Sequence, residues 1–80
     1  MLLCDLPLSN SGIIAEILPE CKGPQRNRLL DLGFTPGARV IAEMRSPSGE
    51  PTAYRIKNTL IAIRREQAAM IRLQDTELSE

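Results

Sequence analysis

Hydrophobic and polar side chains alternate in the middle of the chain. From residue 38 to the loop at 46, Val40, Ala42 and Met44 fall on one side of an extended backbone. The positions between them are Arg39, Ile41, Glu43 and Arg45, of which only Ile41 is apolar. A period of two residues is the pattern of a half-buried β-strand. We therefore predict a strand here, with Val40, Ala42 and Met44 facing the core.

Four further segments have strand character. Residues 13–18 are rich in β-branched side chains and end at Pro19, and residues 52–57 again alternate between apolar and polar side chains. Residues 60–64 and 70–73 are shorter apolar runs. We predict strands at all four positions, which gives about five short strands in total.

The connecting segments contain turn-forming residues. Residues 8–12 and 46–51 are rich in Ser, Pro and Gly, and Asn58 is of the non-Gly type that most readily adopts a positive φ. Residues 65–69 lack strand character and predict a single helical turn, and the polar tail at 74–80 is expected to fray.

One segment between the first two strands carries the start and stop signals of a short helix. Pro24 suits the first turn, and residues 25–32 include good helix formers. Gly33 fits the left-handed position just after the helix, and Phe34 is expected to fold back onto Leu29. The Thr-Pro-Gly sequence that follows prevents continuation of the helix.

These elements predict an all-β fold with one inserted α-helix. A closed or nearly closed barrel leaves few unpaired strand edges, which favours a small, antiparallel SH3-like barrel. We expect one domain over residues 1–80, with its core at about residues 5–73.

The composition favours a binding module over an enzyme. A chain of 80 residues buries only about 60% of its unfolded surface, so a roomy internal active site would cost it needed packing. The chain has no His, which excludes Ser–His and Cys–His nucleophile pairs. No Gly-Lys-Ser or Gly-Lys-Thr phosphate loop occurs. We predict no catalytic residue and no resident cofactor.

Charge and aromatic content argue against nucleic-acid binding. Ten basic and ten acidic residues balance, so no overall field attracts nucleic acid or anionic lipid. Phe34 and Tyr54 are the only aromatic residues, and Phe34 is assigned to the helix end. Stacking on bases would rest on Tyr54 alone. A nucleic-acid-binding barrel is therefore the less favoured alternative.

The two cysteines and the apolar runs constrain metal binding and location. Cys4 and Cys21 are expected to pack as small apolar side chains. The alternative is a transition-metal site completed by Asp5 or Glu20. No apolar run approaches the ~20 residues of a membrane-spanning helix, and the N-terminus lacks the features of a secretory signal. We expect a cytoplasmic chain that reaches a membrane only through a partner.

Three segments together resemble the ferrous iron transport protein A (FeoA) family. Residues 28–37 (RLLDLGFTPG) resemble its Leu-x-Leu-Gly-Phe/Met-x-Pro-Gly helix exit. Residues 47–51 (PSGEP) are similar to its Gly-Asp-Pro loop, with Glu50 in place of Asp. Residues 60–68 (LIAIRREQA) resemble its Leu/Ile-Ala-Leu/Ile-Arg strand and the acidic, Ala-containing turn that follows. Asn58 stands where the family usually has Gly.

The resemblance implies an SH3-like barrel that assists FeoB, a membrane transporter of ferrous iron with a cytoplasmic GTP-hydrolysing domain. The same fold forms the C-terminal domain of DtxR-type metal-dependent repressors. A metal-sensing or peptide-docking module of that kind is the alternative function, and weak self-association is a further possibility.

We assign two groups of residues on this basis. The first shapes the fold, with Arg64 binding backbone carbonyls or a carboxylate: Leu29, Leu32, Gly33, Phe34, Pro36, Gly37, Arg64 and Ala68. The second consists of exposed side chains that are candidates for partner contact: Arg26, Arg28, Arg39, Ile41, Arg45 and Arg55. Ile41 would begin an apolar docking patch or a dimer contact.

Overall fold

The structure, a computed structural model, describes residues 1–74. Its elements, in chain order, are a 3-10 turn at Leu3–Asp5, β1 (Ser11–Ile17), α1 (Gly23–Leu32), β2 (Arg39–Arg45), β3 (Thr52–Ile56), β4 (Thr59–Ile63), α2 (Arg65–Ala68) and β5 (Ile71–Leu73). The five predicted strands, the helix and the helical turn are all present. The frayed tail predicted for residues 74–80 lies, from residue 75 on, outside the described residues.

All five strands form one antiparallel sheet in the order β4-β3-β2-β1-β5. The first half of β1, Ser11–Ile13, pairs with β2, and its second half, Ile14–Ile17, pairs with β5. An irregularity between Ile14 and Glu16 lies where β1 passes to β5. By pairing in turn with β2 and β5, β1 curls the sheet around a single core, and the predicted SH3-like architecture is confirmed.

The core includes the N-terminal segment. Leu3 is fully buried and Leu6 is nearly so, although neither lies in a strand. Tyr54 and Phe34, the two aromatic residues, are the largest of the fully buried side chains. The hydrophobic core thus begins at Leu3, two positions before the expected boundary, because the 3-10 turn places that side chain among the strands.

The exit of α1 has the predicted geometry. Gly33 adopts φ +110°, and the N–H of Phe34 donates to the carbonyl of Leu29 at 3.1 Å. Phe34 and Leu29 are both buried in the core. The N–H of Gly37 donates to the carbonyl of Ile14 at 2.7 Å, which attaches the turn after α1 to β1.

The remaining fold-shaping residues differ in depth. Ala68, on α2, is buried as expected, and Leu32 packs against the core while remaining partly exposed. Pro36 is exposed in the turn. The hairpin between β3 and β4 has positive φ at both Lys57 and Asn58, which confirms the turn predicted at Asn58.

The prediction that Met44 faces the core with Val40 and Ala42 is wrong. The register of β2 against β3 shifts between Ala42 and Met44, so that Glu43 is an extra residue in β2. Such a bulge reverses the facing of the residues that follow it. Met44 is consequently 56% exposed.

Candidate partner-binding surface

The outer face of β2, β3 and β4 presents a cross-strand set of apolar side chains. One row across these strands joins Ile41, Arg55 and Leu60, and the next joins Met44, Ala53 and Ala62. Arg39, at the start of β2, borders these two rows. We call the six residues of the rows together with Arg39 the outer sheet surface: Arg39, Ile41, Met44, Ala53, Arg55, Leu60 and Ala62. Leu60 is 44% exposed and Ala62 is also exposed.

One residue of this face, Arg55, forms an ion pair. Arg55 Nε donates to Glu43 Oε2 at 2.8 Å, with both side chains partly exposed. An ion pair of this exposure contributes only a few tenths of a kcal/mol to folding. The pair leaves the net charge of the face unchanged, while Arg39 at its border adds an exposed cation.

Arg45 does not lie on this face. The bulge at Glu43 turns Arg45 to the side of Thr52, to whose Oγ1 its Nε donates at 3.2 Å. The predicted grouping of Arg45 with Arg39 on one strand face is therefore wrong.

Arg26 holds the loop between β1 and α1 and is not the fully exposed side chain that was predicted. It is half-buried, and its Nη1 lies within hydrogen-bond distance of three backbone carbonyls. Those acceptors are Ile17 and Leu18, both at 3.1 Å, and Cys21 at 3.3 Å. A charged donor on these carbonyls stabilises the chain where it leaves the strand for the helix.

Arg28 is exposed on α1, as predicted, and borders an open, shallow depression along the helix. The depression is lined by Gly23, Pro24, Asn27, Arg28, Asp31 and Leu32. It is a separate location from the outer sheet surface. The predicted partner residues thus occupy different parts of the molecule, and only Arg39, Ile41 and Arg55 share one face.

Arg64 pairs loosely with a carboxylate, one of the two kinds of acceptor expected for it. Its Nη1 lies 3.9 Å from Glu50 Oε1, and its side chain remains largely exposed. The same Glu50 oxygen accepts the backbone N–H of Arg65 at 3.1 Å, at the start of α2. Arg64 N–H donates to Gln67 Oε1 at 3.2 Å, which satisfies a second donor at this helix end.

The two cysteines are free thiols in different environments. Cys21 is buried in the core, and Cys4 is partly exposed beside Asp5. Burial, reinforced by the negative charge of Asp5, raises the pKa of the Cys4 thiol. Within residues 1–74, no three His, Cys, Asp or Glu side chains are grouped so that they could hold a metal ion.

Sequence reasoning missed four residues of the outer sheet surface: Met44, Ala53, Leu60 and Ala62. Met44 was misplaced because a bulge has no clear signature in an alternating segment. β4 reads Thr-Leu-Ile-Ala-Ile, so its apolar residues lie on both faces and periodicity does not show which side is exposed. The pairing of Leu60 with Arg55 and of Ala62 with Ala53 shows that Leu60 and Ala62 lie on the outer face.

Comparison with known proteins identifies a relative that is a fusion of two proteins in one chain. An Fe(2+) transport protein A/Fe(2+) transporter FeoB fusion protein of Porphyromonas gingivalis is 31% identical over 74 residues. The match covers 92% of this chain and 8% of the fusion protein, so the chain spans only a small part of that relative's length.

Two solved structures share the fold. The FeoA of Stenotrophomonas maltophilia, crystallised with zinc and described as an SH3 domain protein, is 28% identical with a TM-score of 0.82. That alignment covers 92% of this chain and 89% of the other. A manganese-dependent transcriptional repressor is 14% identical with a TM-score of 0.76, covering 89% of this chain and 39% of the repressor. At 14% identity the likeness shows the fold alone.

Residues 1–75 of the 80 match the FeoA domain family. The fold-shaping residues at the exit of α1 have the conformation that the helix-exit motif requires. No helix in residues 1–74 has the length and apolar character needed to cross a membrane. The chain belongs to the FeoA domain family.

Proposed function

We propose that this protein is a non-catalytic accessory of ferrous iron uptake that acts in the cytoplasm by binding a FeoB-type transporter. The observation that carries the proposal is the P. gingivalis relative, in which a segment similar to this chain is fused to FeoB. Proteins that are fused in one organism commonly act together in others.

The outer sheet surface supports a binding role. Its apolar side chains include Met44 and Leu60, both substantially exposed, and they lie on either side of Arg55 on the central strand β3. Met and Arg are both enriched at protein–protein interfaces. We therefore place the transporter contact on this face, with Arg39 and Arg55 affecting mainly the association rate and its salt dependence.

The alternative function, metal sensing of the repressor type, has no comparable support. Within the described residues, no group of three His, Cys, Asp or Glu side chains could hold a metal ion. The likeness to the manganese-dependent repressor rests on 14% identity and concerns the fold. We therefore do not place a sensing site in residues 1–74.

Co-purification tests the proposal. Tagged protein is incubated at tens of micromolar with detergent-solubilised FeoB from the same cell, and separately with the isolated GTPase domain. We expect retention on FeoB, and the comparison of the two preparations assigns the contact to the GTPase domain or the membrane region. If neither preparation retains the protein, or if cells lacking the protein take up ferrous iron normally, the proposal is contradicted.

A matched pair of variants tests the proposed surface. Leu60→Glu places a charge among the exposed apolar side chains of the outer sheet surface, and we expect it to lower retention about tenfold or more. Leu8→Glu changes a Leu of similar exposure, 40% against 44%, in the segment before β1. We expect Leu8→Glu to bind as the unaltered protein does. If both variants lose retention equally, or if both are retained as the unaltered protein is, the contact lies elsewhere.

A further inference from the structure

β4 is a free edge of the sheet. It stands at one end of the strand order and pairs only with β3 within residues 1–74. The opposite edge is covered, because the N-terminal segment lies along β5. The N–H of Leu73 donates to the carbonyl of Met1 at 2.8 Å, and Leu2 forms a bridge with Arg72. The sheet therefore offers one uncovered edge strand in this part of the chain.

The register identifies the backbone groups of β4 that face away from the sheet. Ile56 and Thr59 close the two-residue loop Lys57–Asn58, in which both residues have positive φ. The closing pair of such a loop exchanges both of its N–H···O bonds, and bonded and non-bonded pairs then alternate along the strands. Leu60 and Ala62 consequently point their N–H and C=O groups outward. No backbone partner for these groups lies within residues 1–74.

β4 lacks the features that commonly protect an edge strand. It contains no charged residue and no Pro, and its five register pairs with β3 run without a bulge. The side chains of Leu60 and Ala62 are exposed on the adjoining outer face. A strand added here would pair with polar backbone groups and would also cover apolar side chains.

The charges at the two ends of β4 favour one kind of added strand. Lys57 precedes β4, Arg64 and Arg65 follow it, and all three side chains are exposed. Within residues 1–74, neither Lys57 nor the Arg65 side chain has an ion-pair partner, and Arg64 has only its 3.9 Å contact with Glu50. A second copy paired antiparallel about Ile61 would bring Lys57 of each copy towards the two Arg residues of the other. Like charges at both ends disfavour that pairing.

We propose that the free edge of β4 binds an extended segment of a partner protein that has an apolar centre and carboxylates at both ends. The segment adds to the sheet as a sixth strand through the outward groups of Leu60 and Ala62. Its carboxylates pair with Lys57 at one end and with Arg64 and Arg65 at the other. The partner is defined by this chemistry alone and need not be the transporter, so the inference goes beyond the proposed function.

A synthetic peptide tests the edge directly. The probe is acetyl-Asp-Asp-Val-Thr-Val-Asp-Asp-amide, titrated into the full isotope-labelled chain while amide NMR signals are recorded. We expect saturable shift changes concentrated at the amides of Leu60 and Ala62, and slower hydrogen exchange at both. Changes centred on another part of the chain would overturn the proposal.

A second peptide tests whether the carboxylates of the added strand are required. A peptide with Lys in place of each Asp keeps the same length and centre. We expect it to bind about tenfold more weakly at low ionic strength, and the difference should shrink at about 0.5 M salt. Equal binding of the two peptides would refute the assigned chemistry of the occupant. Concentration-dependent pairing of β4 with β4 in a second copy, seen by sedimentation together with loss of peptide binding, would also refute it.

Two variants of one residue test the backbone contact. Ala62→Pro removes an N–H that faces away from β3, a position at which an edge strand tolerates Pro. Ala62→Val keeps the N–H and has good strand propensity. We expect peptide binding to fall at least about tenfold in the Pro variant and to persist in the Val variant. If the Pro variant unfolds, methylation of the backbone nitrogens of the peptide replaces it, and undiminished binding of the methylated peptide would overturn strand addition.

Discussion

The carboxylate of Glu50 accepts a hydrogen bond from the backbone N–H of Arg65, at 3.1 Å and fifteen positions further along the chain. The contact joins the loop between β2 and β3 to the first turn of α2. Within the same loop, the hydroxyl groups of Ser46 and Ser48 both donate to the carbonyl of Glu50, the latter at 2.9 Å. Glu50 therefore connects the loop between β2 and β3 to α2, which lies between β4 and β5.

We predict that Glu50→Ala lowers the free energy of unfolding by about 1 kcal/mol, because a donor at a helix start loses its acceptor. Glu50→Gln keeps an acceptor at the same position and should cost less. Since the Glu50 side chain is 40% exposed, the loss of its charge should matter little. Urea denaturation monitored by circular dichroism measures both variants. Equal effects of Ala and Gln would show that the hydrogen bond to Arg65 is not the source.

Arg26 should be among the most sensitive charged positions. Arg26→Ala removes a charged donor shared by three carbonyls, and we expect a loss of about 1–3 kcal/mol in stability. Arg28→Ala, at an exposed position of the same helix, is the control and should change stability by less than about 0.5 kcal/mol. Similar denaturation midpoints for the two variants would contradict the structural role of Arg26.

Gly33 tests the conformation at the end of α1. At φ +110°, a side chain is strained although its nearest neighbour, Lys57 Cδ, would lie at an ordinary 3.5 Å. We expect Gly33→Ala to cost about 1–2 kcal/mol through the backbone, and Gly33→Asn to cost less because Asn tolerates positive φ better. Thermal unfolding ranks the two variants. A larger loss for Asn than for Ala would show that space, and not φ, limits this position.

Tyr54 should make stability fall at alkaline pH. Burial raises the pKa of its phenol above the ordinary value of 10.0, with Thr52 and Arg45 partly opposing the shift. The folded chain then holds this proton more tightly than the unfolded chain does. Its contribution is fully present below pH 10 and is lost as pH rises from there through the folded-state pKa.

The phenylalanine variant isolates this effect. Tyr54→Phe should remove the alkaline loss attributable to Tyr54, while the loss caused by the raised pKa of Cys4 remains in both proteins. Unfolding free energies of the two proteins, measured in urea between neutral pH and about pH 11, give the difference. Because Tyr54 is the only tyrosine, tyrosinate absorbance reports its titration directly. An identical pH dependence in the two proteins would contradict the prediction.

Local signals were sufficient to predict most of the fold. Pro24 and Gly33 bracket α1 because each suits one end of a helix, and Asn58 marks the β3–β4 turn through its tolerance of positive φ. These properties belong to single residues and their neighbours. They do not depend on what the rest of the chain does.

The candidate surface was harder to predict because it depends on register. Met44 and Arg45 exchange faces through one extra residue, Glu43, which nothing in the alternating sequence marks. The hydrogen bonds from Arg26 to the carbonyls of Ile17, Leu18 and Cys21 likewise form only when β1 and α1 are packed together. Charge and position along the chain therefore indicated exposure correctly for Arg28 and Arg39 but not for Arg26.

The strand order also has a consequence for the order of folding events. β2, β3 and β4 are neighbours in both sequence and space and can pair by closing short loops, whereas β1 and β5 meet only when Ile17 reaches Ile71 across most of the chain. Closing that long loop costs entropy before it gains contacts. We therefore expect the β2–β4 meander to be formed in the folding transition state, and φ-values that are high at Ile56 and low at Ile71 would establish this sequence of events.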